Sequence, residues 1–278
     1  MAKLHCGNFM LALDRPLVMG IVNVTPDSFS DGGRYLAAEL AIAHAHKLIA
    51  DGADILDVGG ESTRPGAAAA SLQEEMDRVM PVLEAMRGAG VPVSIDTQKP
   101  ELMRAVIAAG ASMINDVNAL QAEGAIDACR QSPVAVCLMH KQGTPLTMQQ
   151  QPAYDDVVRE VGDFLGARAQ ACERAGIARD RLVIDPGFGF GKTVEHNFTL
   201  LRELGALTRL GYPLLAGYSR KSSLGTVSGR PVEQRLAASL AAAMIAVQNG
   251  ATILRVHDVA ETVDVLKVLA AAGHGATV

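Results

Sequence analysis

The sequence predicts a single (β/α)₈ TIM barrel with a short N-terminal β-hairpin. Apolar, strand-like segments alternate eight times with segments of helical spacing, and eight strands are the number that closes such a barrel. No break in composition divides the 278 residues into two parts. We therefore expect one domain over residues 1–278, with the hairpin in residues 1–16. A doubly wound parallel sheet is the alternative fold.

The hairpin is predicted at 3–15, around a turn at Gly7 and Asn8, and we expect it to plug one end of the barrel. The predicted strands are nearly continuous apolar runs, which is typical of strands buried on both faces. Pro100 begins one predicted helix, and glycines follow several others. The strands are predicted at 17–24, 55–58, 91–96, 113–117, 134–139, 182–185, 213–218 and 252–257, and the helices at 39–51, 72–87, 100–109, 125–130, 154–175, 195–204, 232–248 and 259–272.

The charge and the composition argue against several classes of function. A net charge of −5 without a Lys- or Arg-rich run argues against a nucleic-acid partner. The four cysteines are scattered, which predicts buried thiols in a reducing cytoplasm. Charged residues interrupt the N-terminal segment, and the longest apolar run, at 236–247, is too short to cross a membrane. We therefore expect a cytoplasmic protein that acts on small molecules.

The segment DPGFGFGKT at 185–193 looks at first like a phosphate-binding P-loop. A P-loop needs a glycine five residues before Gly191, where this chain has Pro186, which has no N–H to offer a phosphate. The even spacing of the glycines does not fit a dinucleotide-binding loop either. What remains is an apolar run that ends in Asp185 and opens into a glycine-rich loop. This arrangement is typical of the catalytic face of a β/α barrel.

Polar residues follow all eight predicted strands at their carboxyl ends. A single such residue is often a helix cap or a satisfied polar group of the core, and this is how we interpret Asp57, Asp116 and Asp258. Their presence on every strand predicts an active site at this face. The set comprises Asn23, Asp57, the turn at 61–64, Asp96, Asn115, Asp116, His140, Asp185, Ser219, Arg220, Lys221, Arg255, His257 and Asp258.

One subset of these residues carries positive charge or hydrogen-bond donors. Arg64, Lys221, Arg255 and His257 suit a polyanion such as a diphosphate. Asn23 adds a neutral oxygen, which suits a hard cation shared with phosphate oxygens. The sequence therefore predicts a polyanion site with Mg²⁺ as the cofactor.

A second subset consists of acceptors. Asp96, Asn115 and Asp185 suit the donor edge of a planar heterocycle such as a 2-amino-pyrimidinone. The same three groups could instead hold a catalytic metal. The only histidines nearby are His140 and His257, and the chain has no zinc-binding spacing, so zinc is not favoured.

Eight segments spread over the chain match the motifs of one family, and three of them supply loops that present Phe29, Arg64 and Phe190. The segments are GIVNVTPDSFSDGG (20–33), DVGGESTRPG (57–66), SIDT (94–97), INDV (114–117), LMH (138–140), DPGFGFGKT (185–193), GYSRKS (217–222) and RVHD (255–258). On these segments the chain resembles the dihydropteroate synthase family. One departure is Lys141, where a methionine is common in that family.

The resemblance implies a (β/α)₈ fold and the joining of 6-hydroxymethyl-7,8-dihydropterin diphosphate to p-aminobenzoate, with release of diphosphate. It implies Asn23 as the Mg²⁺ ligand, and Asp96, Asp185, Lys221 and Arg64 as catalytic residues. It also implies the substrate-binding set: Asp96, Asn115, Asp185 and Lys221 for the pterin edge; Arg255 stacked on the pterin ring and facing the diphosphate; Thr63, Arg64 and His257 for phosphate oxygens; Phe190, Ser219 and Lys221 for p-aminobenzoate, with Phe29 and Pro65; and Met139.

Two other functions remain open from the residues. A methyltetrahydrofolate-dependent methyltransferase of the same fold would share the pterin carboxylates, but would not need the loop at 61–66 or the turn at 219–222. A non-catalytic pterin-binding paralogue should have lost Asn23, Arg64, Lys221 or His257, and this chain retains all four. The apolar segment 236–247 and the family resemblance together predict a homodimer.

Overall fold

The computed structural model describes residues 2–24, 33–62, 69–143, 148 and 152–273. Strands and helices alternate from residue 17 onward, after one antiparallel hairpin. The strands are β1 Lys3–Cys6, β2 Phe9–Ala12, β3 Leu17–Asn23, β4 Ile55–Gly59, β5 Val93–Asp96, β6 Met113–Asp116, β7 Ala135–Met139, β8 Leu182–Asp185, β9 Leu215–Ala216 and β10 Ile253–Val256. The helices are α1 Gly33–Ala50, α2 Leu72–Ala85, α3 Pro100–Ala108, α4 Ala125–Arg130, α5 Val157–Arg174, α6 Val194–Arg202, α7 Ser222–Ser228, α8 Leu236–Gln248 and α9 Val259–Ala271.

Eight parallel strands form one sheet in the order β8-β7-β6-β5-β4-β3-β10-β9. The two ends of this order meet in an isolated parallel bridge between Ile184 and Leu214. The backbone N–H of Ile184 also donates to Pro213 O at 3.0 Å. The sheet therefore closes on itself, and the predicted (β/α)₈ barrel is confirmed rather than the doubly wound alternative.

The barrel interior is filled by side chains that alternate along each strand. Its apolar part is a separate cluster to which β1 contributes Leu4 and Cys6, both fully buried. Gly7 N donates to Pro133 O at 3.0 Å, so the hairpin lies against the N-terminal ends of the strands. The hairpin thus closes that end, as predicted, and the polar residues near the other ends of the strands face the open side. The strand residues of the cluster are Leu17, Met19, Ile55, Met113, Ala135, Cys137, Val183, Leu215 and Ile253.

Several predicted boundaries are wrong around the seventh unit. The strand predicted at 213–218 is only the two-residue β9, and α7 was not predicted at all. The single helix predicted at 232–248 is a 3₁₀ turn at Val232–Gln234 followed by α8. The chain leaves α7 at Gly229, in a left-handed conformation, and Pro231 then precedes the 3₁₀ turn. In the first unit, α1 begins at Gly33 rather than at residue 39.

Within the described part of the chain, no helix is both long and apolar enough to cross a membrane. All four cysteines are buried with free thiols, as their scattered positions predicted.

Candidate active site

Arg255 lies at the centre of the polar end of the barrel. Its Nε donates to Asp57 Oδ2 at 2.6 Å, and its Nη2 donates to Asp96 Oδ2 at 2.9 Å. Strand alternation explains the meeting, because Arg255 follows the inward-facing Ile253 by two residues. Burial raises the pKa of Asp96 to about 7, against the lowering effect of Arg255. The guanidinium therefore neutralises two buried carboxylates from two other strands.

Asn115 joins this group from β6. Its Nδ2 donates to Asp57 Oδ2 at 3.1 Å, so one carboxylate oxygen binds both Asn115 and Arg255. Asp57 is thus a buried, hydrogen-bonded polar group of the core, as interpreted, and it links Arg255 to Asn115. Its other oxygen, Oδ1, is buried and has no hydrogen-bond partner among the described residues.

Asp185 ends β8 in the same inward-facing phase. Its Oδ1 accepts a hydrogen bond from Gly187 N at 2.7 Å. Burial raises the pKa of Asp185 to about 6, while the bond from Gly187 and the charge of Lys221 oppose this rise. Met139, the β7 residue paired with Asp185, is 4% exposed and lies beside the start of the glycine loop.

The three evenly spaced glycines that follow all have positive φ, at 68° for Gly187, 82° for Gly189 and 63° for Gly191. A Cβ on Gly187 would lie 1.9 Å from His140 O, and one on Gly191 would lie 2.3 Å from Gln142 O. The glycines therefore let this loop pack against the segment after β7. This agrees with the exclusion of a P-loop.

Lys192 is buried beneath the same loop. Its Nζ lies 2.9 Å from His140 Nδ1 and donates to Gly187 O at 3.0 Å and to Phe190 O at 3.1 Å. Two more side chains hold the loop: Asn197 Oδ1 accepts from Gly189 N at 2.7 Å, and Tyr154 donates to Gly191 O at 2.8 Å. His140, predicted at the active-site face, supports the loop instead, because its ring nitrogen Nδ1 contacts Lys192.

Phe190 and Lys221 face each other beside the glycine loop. Lys221 Nζ lies 4.2 Å from the centroid of the Phe190 ring, a cation–π contact. The side chain of Lys221 also passes close to the backbone of Gly189. Lys221 is the residue immediately before α7, so the helix that the sequence did not predict fixes the backbone position of Lys221.

Ser219 and His257 form the next pair. Ser219 Oγ lies 3.0 Å from His257 Nδ1, and Ser219 is 8% exposed. Burial lowers the pKa of His257 to about 3, with help from the charges of Arg255 and Arg220, so the ring is neutral at pH 7. Arg220 itself, at a φ of 57°, forms a bidentate ion pair with Asp258. Asp258 is thus a structural residue, as interpreted.

Asp116 is structural too. Its two carboxylate oxygens accept from Asn118 N at 2.7 Å and Leu120 N at 2.8 Å, which caps the turn that follows β6. Ala119 and Leu120 in that turn both have a φ of 52°.

Asn23 ends β3 in the inward-facing phase, paired with Gly59. A Cβ placed on Gly59 would lie 3.8 Å from Asn23 Oδ1 and 3.9 Å from Asp96 Oδ2, so the two oxygens lie on the same side of that glycine. The described residues include no cluster of three His, Cys, Asp or Glu that could hold a metal unaided.

The predicted residues Phe29, Thr63, Arg64 and Pro65 lie outside the described residues. The stem of the 61–66 loop is described, and sequence reasoning missed its anchor. Lys99 Nζ lies 2.5 Å from both Glu61 and Glu75, and the side chain of Glu75 is fully buried. The same cation therefore ties the start of that loop to α2.

Comparison with known proteins identifies the family. The protein-family model described as 'Pterin binding enzyme' matches residues 19–257 of the chain. A dihydropteroate synthase of Neisseria meningitidis serogroup C is 53% identical over 274 residues, which cover 97% of each chain. The chain belongs to the dihydropteroate synthase family.

Solved structures of dihydropteroate synthases agree in fold. The Xanthomonas albilineans enzyme with 4-aminobenzoic acid is 55% identical and superposes with a TM-score of 0.92 over 98% of each chain. A second structure from that organism, in complex with 7,8-dihydropteroate, is 52% identical with a TM-score of 0.90 over 98% of each chain. These relatives favour a synthase over the methyltransferase and the non-catalytic paralogue.

Sequence reasoning missed Lys192 and Lys99, and it did not predict the contacts of Asp57. Asp57 had a usable signal, because it lies two residues after Ile55 and so shares its inward phase. Lys192 and Lys99 had none, since a lysine is rarely buried and its burial depends on partners far away in the chain.

Proposed function

We propose that this protein joins 6-hydroxymethyl-7,8-dihydropterin diphosphate to p-aminobenzoate, giving 7,8-dihydropteroate and diphosphate. The observation that carries the proposal is the acceptor floor made by Asp96, Asn115 and Asp185, with Arg255 beside it. The bound 4-aminobenzoic acid and 7,8-dihydropteroate of the related Xanthomonas albilineans structures support both substrates.

The pterin binds with its donor edge toward the floor. Asp185 has one oxygen taken by Gly187 N and a second to offer, and Asp96 likewise has one oxygen bonded to Arg255. These fixed acceptors match the amino and ring N–H groups of a 2-amino-pyrimidinone. Arg255 stacks on the ring, and Lys221 and Met139 border it.

The diphosphate binds near Asn23, which would hold Mg²⁺. The donor set fits the ion, because Asn23 offers one hard oxygen of the kind that Mg²⁺ prefers and a diphosphate could supply others. His257, Thr63, Arg64 and Arg255 bind the phosphate oxygens. When bound, Mg²⁺ stabilises the negative charge of the leaving diphosphate.

The second substrate binds between Phe190, Ser219 and Lys221, with Phe29 and Pro65 as further walls. The support is the contact of Lys221 Nζ with the Phe190 ring, which places a cation beside an aromatic face. Such a pair suits a flat benzoate, whose carboxylate attracts the cation.

The reaction is a substitution at the exocyclic methylene. The lone pair of the aniline nitrogen forms the new C–N bond, and the electrons of the C–O bond leave with diphosphate. Asp96 and Asp185 favour the positive charge that the pterin delocalises, while Arg64 and Arg255 favour the departing anion. The anilinium then loses a proton to solvent or diphosphate.

We also propose a homodimer and a cytoplasmic location. A groove of about 590 Å³ between α8 and α9 is lined largely by apolar side chains, among them Met244 and Val268, which is 70% exposed. A second copy of the chain would cover this surface. The four free, buried cysteines suit a reducing compartment.

The decisive experiment is a coupled assay for diphosphate release by the purified protein. Release that requires both pterin diphosphate and p-aminobenzoate, and that yields 7,8-dihydropteroate by mass spectrometry, is the expected result. Release without p-aminobenzoate, or none with both substrates, would contradict the proposal. The Asp185→Asn variant should lose far more than tenfold in turnover while its thermal melting stays cooperative.

A further inference from the structure

One neighbour sets the orientation of the Asn115 amide. Asn115 Nδ2 lies 3.1 Å from Asp57 Oδ2, and both side chains are buried. A carboxylate that already accepts from Arg255 is an acceptor, so only the NH₂ end of the amide can face it. The carbonyl oxygen of Asn115 therefore points away from Asp57 and is available to a ligand, together with at most the second N–H of the same amide.

Arg255 holds Asp57 in this role. The guanidinium Nε donates to the same oxygen, Oδ2, at 2.6 Å, and a guanidinium cannot give up its proton in a protein. Asp57 is fully buried, so it has no path to contact a substrate directly. Its effect on a ligand must pass through Arg255 and Asn115.

The orientation of this amide decides the polarity of the floor. Asp185 and Asp96 each keep one oxygen that their bonds to Gly187 and Arg255 leave available. With the Asn115 oxygen between them in sequence order, the floor presents acceptors from three strands. If the amide were reversed, a donor would interrupt this set, and a donor edge of a ligand would meet an N–H group.

We propose that Asp57 is a positioning and specificity-determining residue. It orients the Asn115 amide so that its carbonyl oxygen joins the acceptors of Asp96 and Asp185, and it thereby selects heterocycles whose edge carries N–H donors over analogues with an acceptor there. The inference rests on the proposed pterin site and deepens it.

A charge-conserving exchange tests the proposal. Asp57→Leu removes the acceptor and releases the orientation, and Asn115→Asp places two carboxylates together. Each should weaken binding of 6-hydroxymethyl-7,8-dihydropterin by about 10- to 100-fold in calorimetry, because a buried polar group loses its partner. The double variant Asp57→Asn/Asn115→Asp restores one donor facing one acceptor and keeps the charge. It should bind at least about tenfold more tightly than either single variant.

A specificity readout separates positioning from a merely structural role. The wild-type protein should discriminate against the fully oxidised pterin, in which ring N8 is an acceptor instead of an N–H donor. Asp57→Leu should reduce this discrimination, and the double variant should recover it. Ser94→Ala is the matched control, because Ser94 pairs with Asp57 across β4 and β5 and its buried hydroxyl has no partner among the described residues. It should leave the discrimination unchanged.

The possible outcomes separate failure of the proposed function from failure of the role proposed for Asp57. If the wild-type protein binds no pterin, the proposed function itself fails. If the wild-type protein binds pterin but the double variant binds no better than the single ones, the role of Asp57 is overturned. Should a single variant not fold, nitrogen-15 spectra of the wild-type protein provide the test. The side-chain NH₂ of Asn115 should exchange slowly and shift little when pterin binds, whereas rapid exchange would contradict the bond to Asp57.

Discussion

Lys192 and His140 form a buried pair beneath the glycine loop, with Nζ 2.9 Å from Nδ1. Burial lowers the pKa of Lys192 to about 7 and that of His140 to about 3. The neutral imidazole accepts from the lysine, which also donates to two carbonyl oxygens of the loop. One side chain thus supports the backbone that carries Phe190.

Replacement of Lys192 by methionine should disturb the second substrate more than the first. The variant loses the hydrogen bonds to Gly187 O and Phe190 O, so Phe190 loses its support. We expect KM for p-aminobenzoate to rise about tenfold, with pterin affinity within about twofold of the wild-type value. Tyr154→Phe removes only the bond to Gly191 O and should give a smaller rise. An unchanged KM in Lys192→Met would contradict this role.

Two glycines with similar backbone geometry should respond differently to alanine. Gly187 has a φ of 68°, and its Cβ would lie 1.9 Å from His140 O. Gly88 has a φ of 77°, with no atom within 4 Å of its Cβ position. Gly88→Ala should lower the free energy of unfolding by about 1 kcal/mol, because only the unfavourable backbone conformation opposes the new side chain. Gly187→Ala should cost several times more in urea unfolding and should impair turnover; equal costs would exclude steric contact as the cause.

Pterin affinity should rise with pH between 5 and 8. Burial raises the pKa of Asp96 to about 7 and that of Asp185 to about 6, so both carboxyl groups lose acceptor capacity as the pH falls through these values. Calorimetry with the diphosphate-free 6-hydroxymethyl-7,8-dihydropterin should show at least about a tenfold weakening at pH 5. Asp116 also has a raised pKa, about 6, but it caps a turn. Asp116→Asn should therefore keep the same pH profile, and a flat profile in the wild type would refute the expectation.

Loss of Arg255 should destabilise the protein in a pH-dependent way. Arg255→Met leaves Asp57 and Asp96 without their cation, which should lower the free energy of unfolding by about 3–5 kcal/mol at pH 8. Arg255 lowers the pKa of Asp96, so its removal should raise that pKa further, and protonation of Asp96 as the pH falls should favour folding of the variant more than that of the wild type. The deficit should consequently be smaller at pH 5. Urea unfolding at both pH values measures this, and equal deficits would show that lost packing dominates.

A charge on α9 should dissociate the proposed dimer. Val268 is 70% exposed beside the α8–α9 groove, and a glutamate there would oppose an apolar interface. Light scattering should give the mass of two chains for the wild type and of one chain for Val268→Glu. Met10, 54% exposed on the hairpin at the far end of the barrel, provides the control. Met10→Glu should stay dimeric, and a monomeric wild type would rule out the assembly.

Much of the fold follows from the sequence because each strand carries its own signal. Continuous apolar runs mark strands such as β3 and β7, whatever lies around them. The helix α7 could not be predicted, since its Ser-, Gly- and Thr-containing segment has no apolar period and ends by a backbone turn at Gly229. Local pattern therefore decides the strands, and tertiary packing decides this helix.

The acceptors of the site were predictable as residue types at strand ends, but not as a bonded network. Asp57 and Arg255 are 198 positions apart, and their 2.6 Å contact exists only because the barrel closes. A single sequence shows that each residue faces inward but not which partner it meets. The same limit applies to Lys192, whose burial depends on the segment after β7.

The closure of the barrel has a consequence for what the substrates do mechanically. Between β8 and β9 the ring is joined by one bridge, Ile184 with Leu214, whereas β3 and β4 pair over five residues. Asp185 lies on one side of this narrow seam, and Ser219 and Lys221 follow β9 on the other. A molecule bound to residues on both sides would connect β8 and β9 where the barrel has the fewest strand-pairing bonds. Slower amide hydrogen exchange in these two strands would therefore indicate substrate binding before any chemistry occurs.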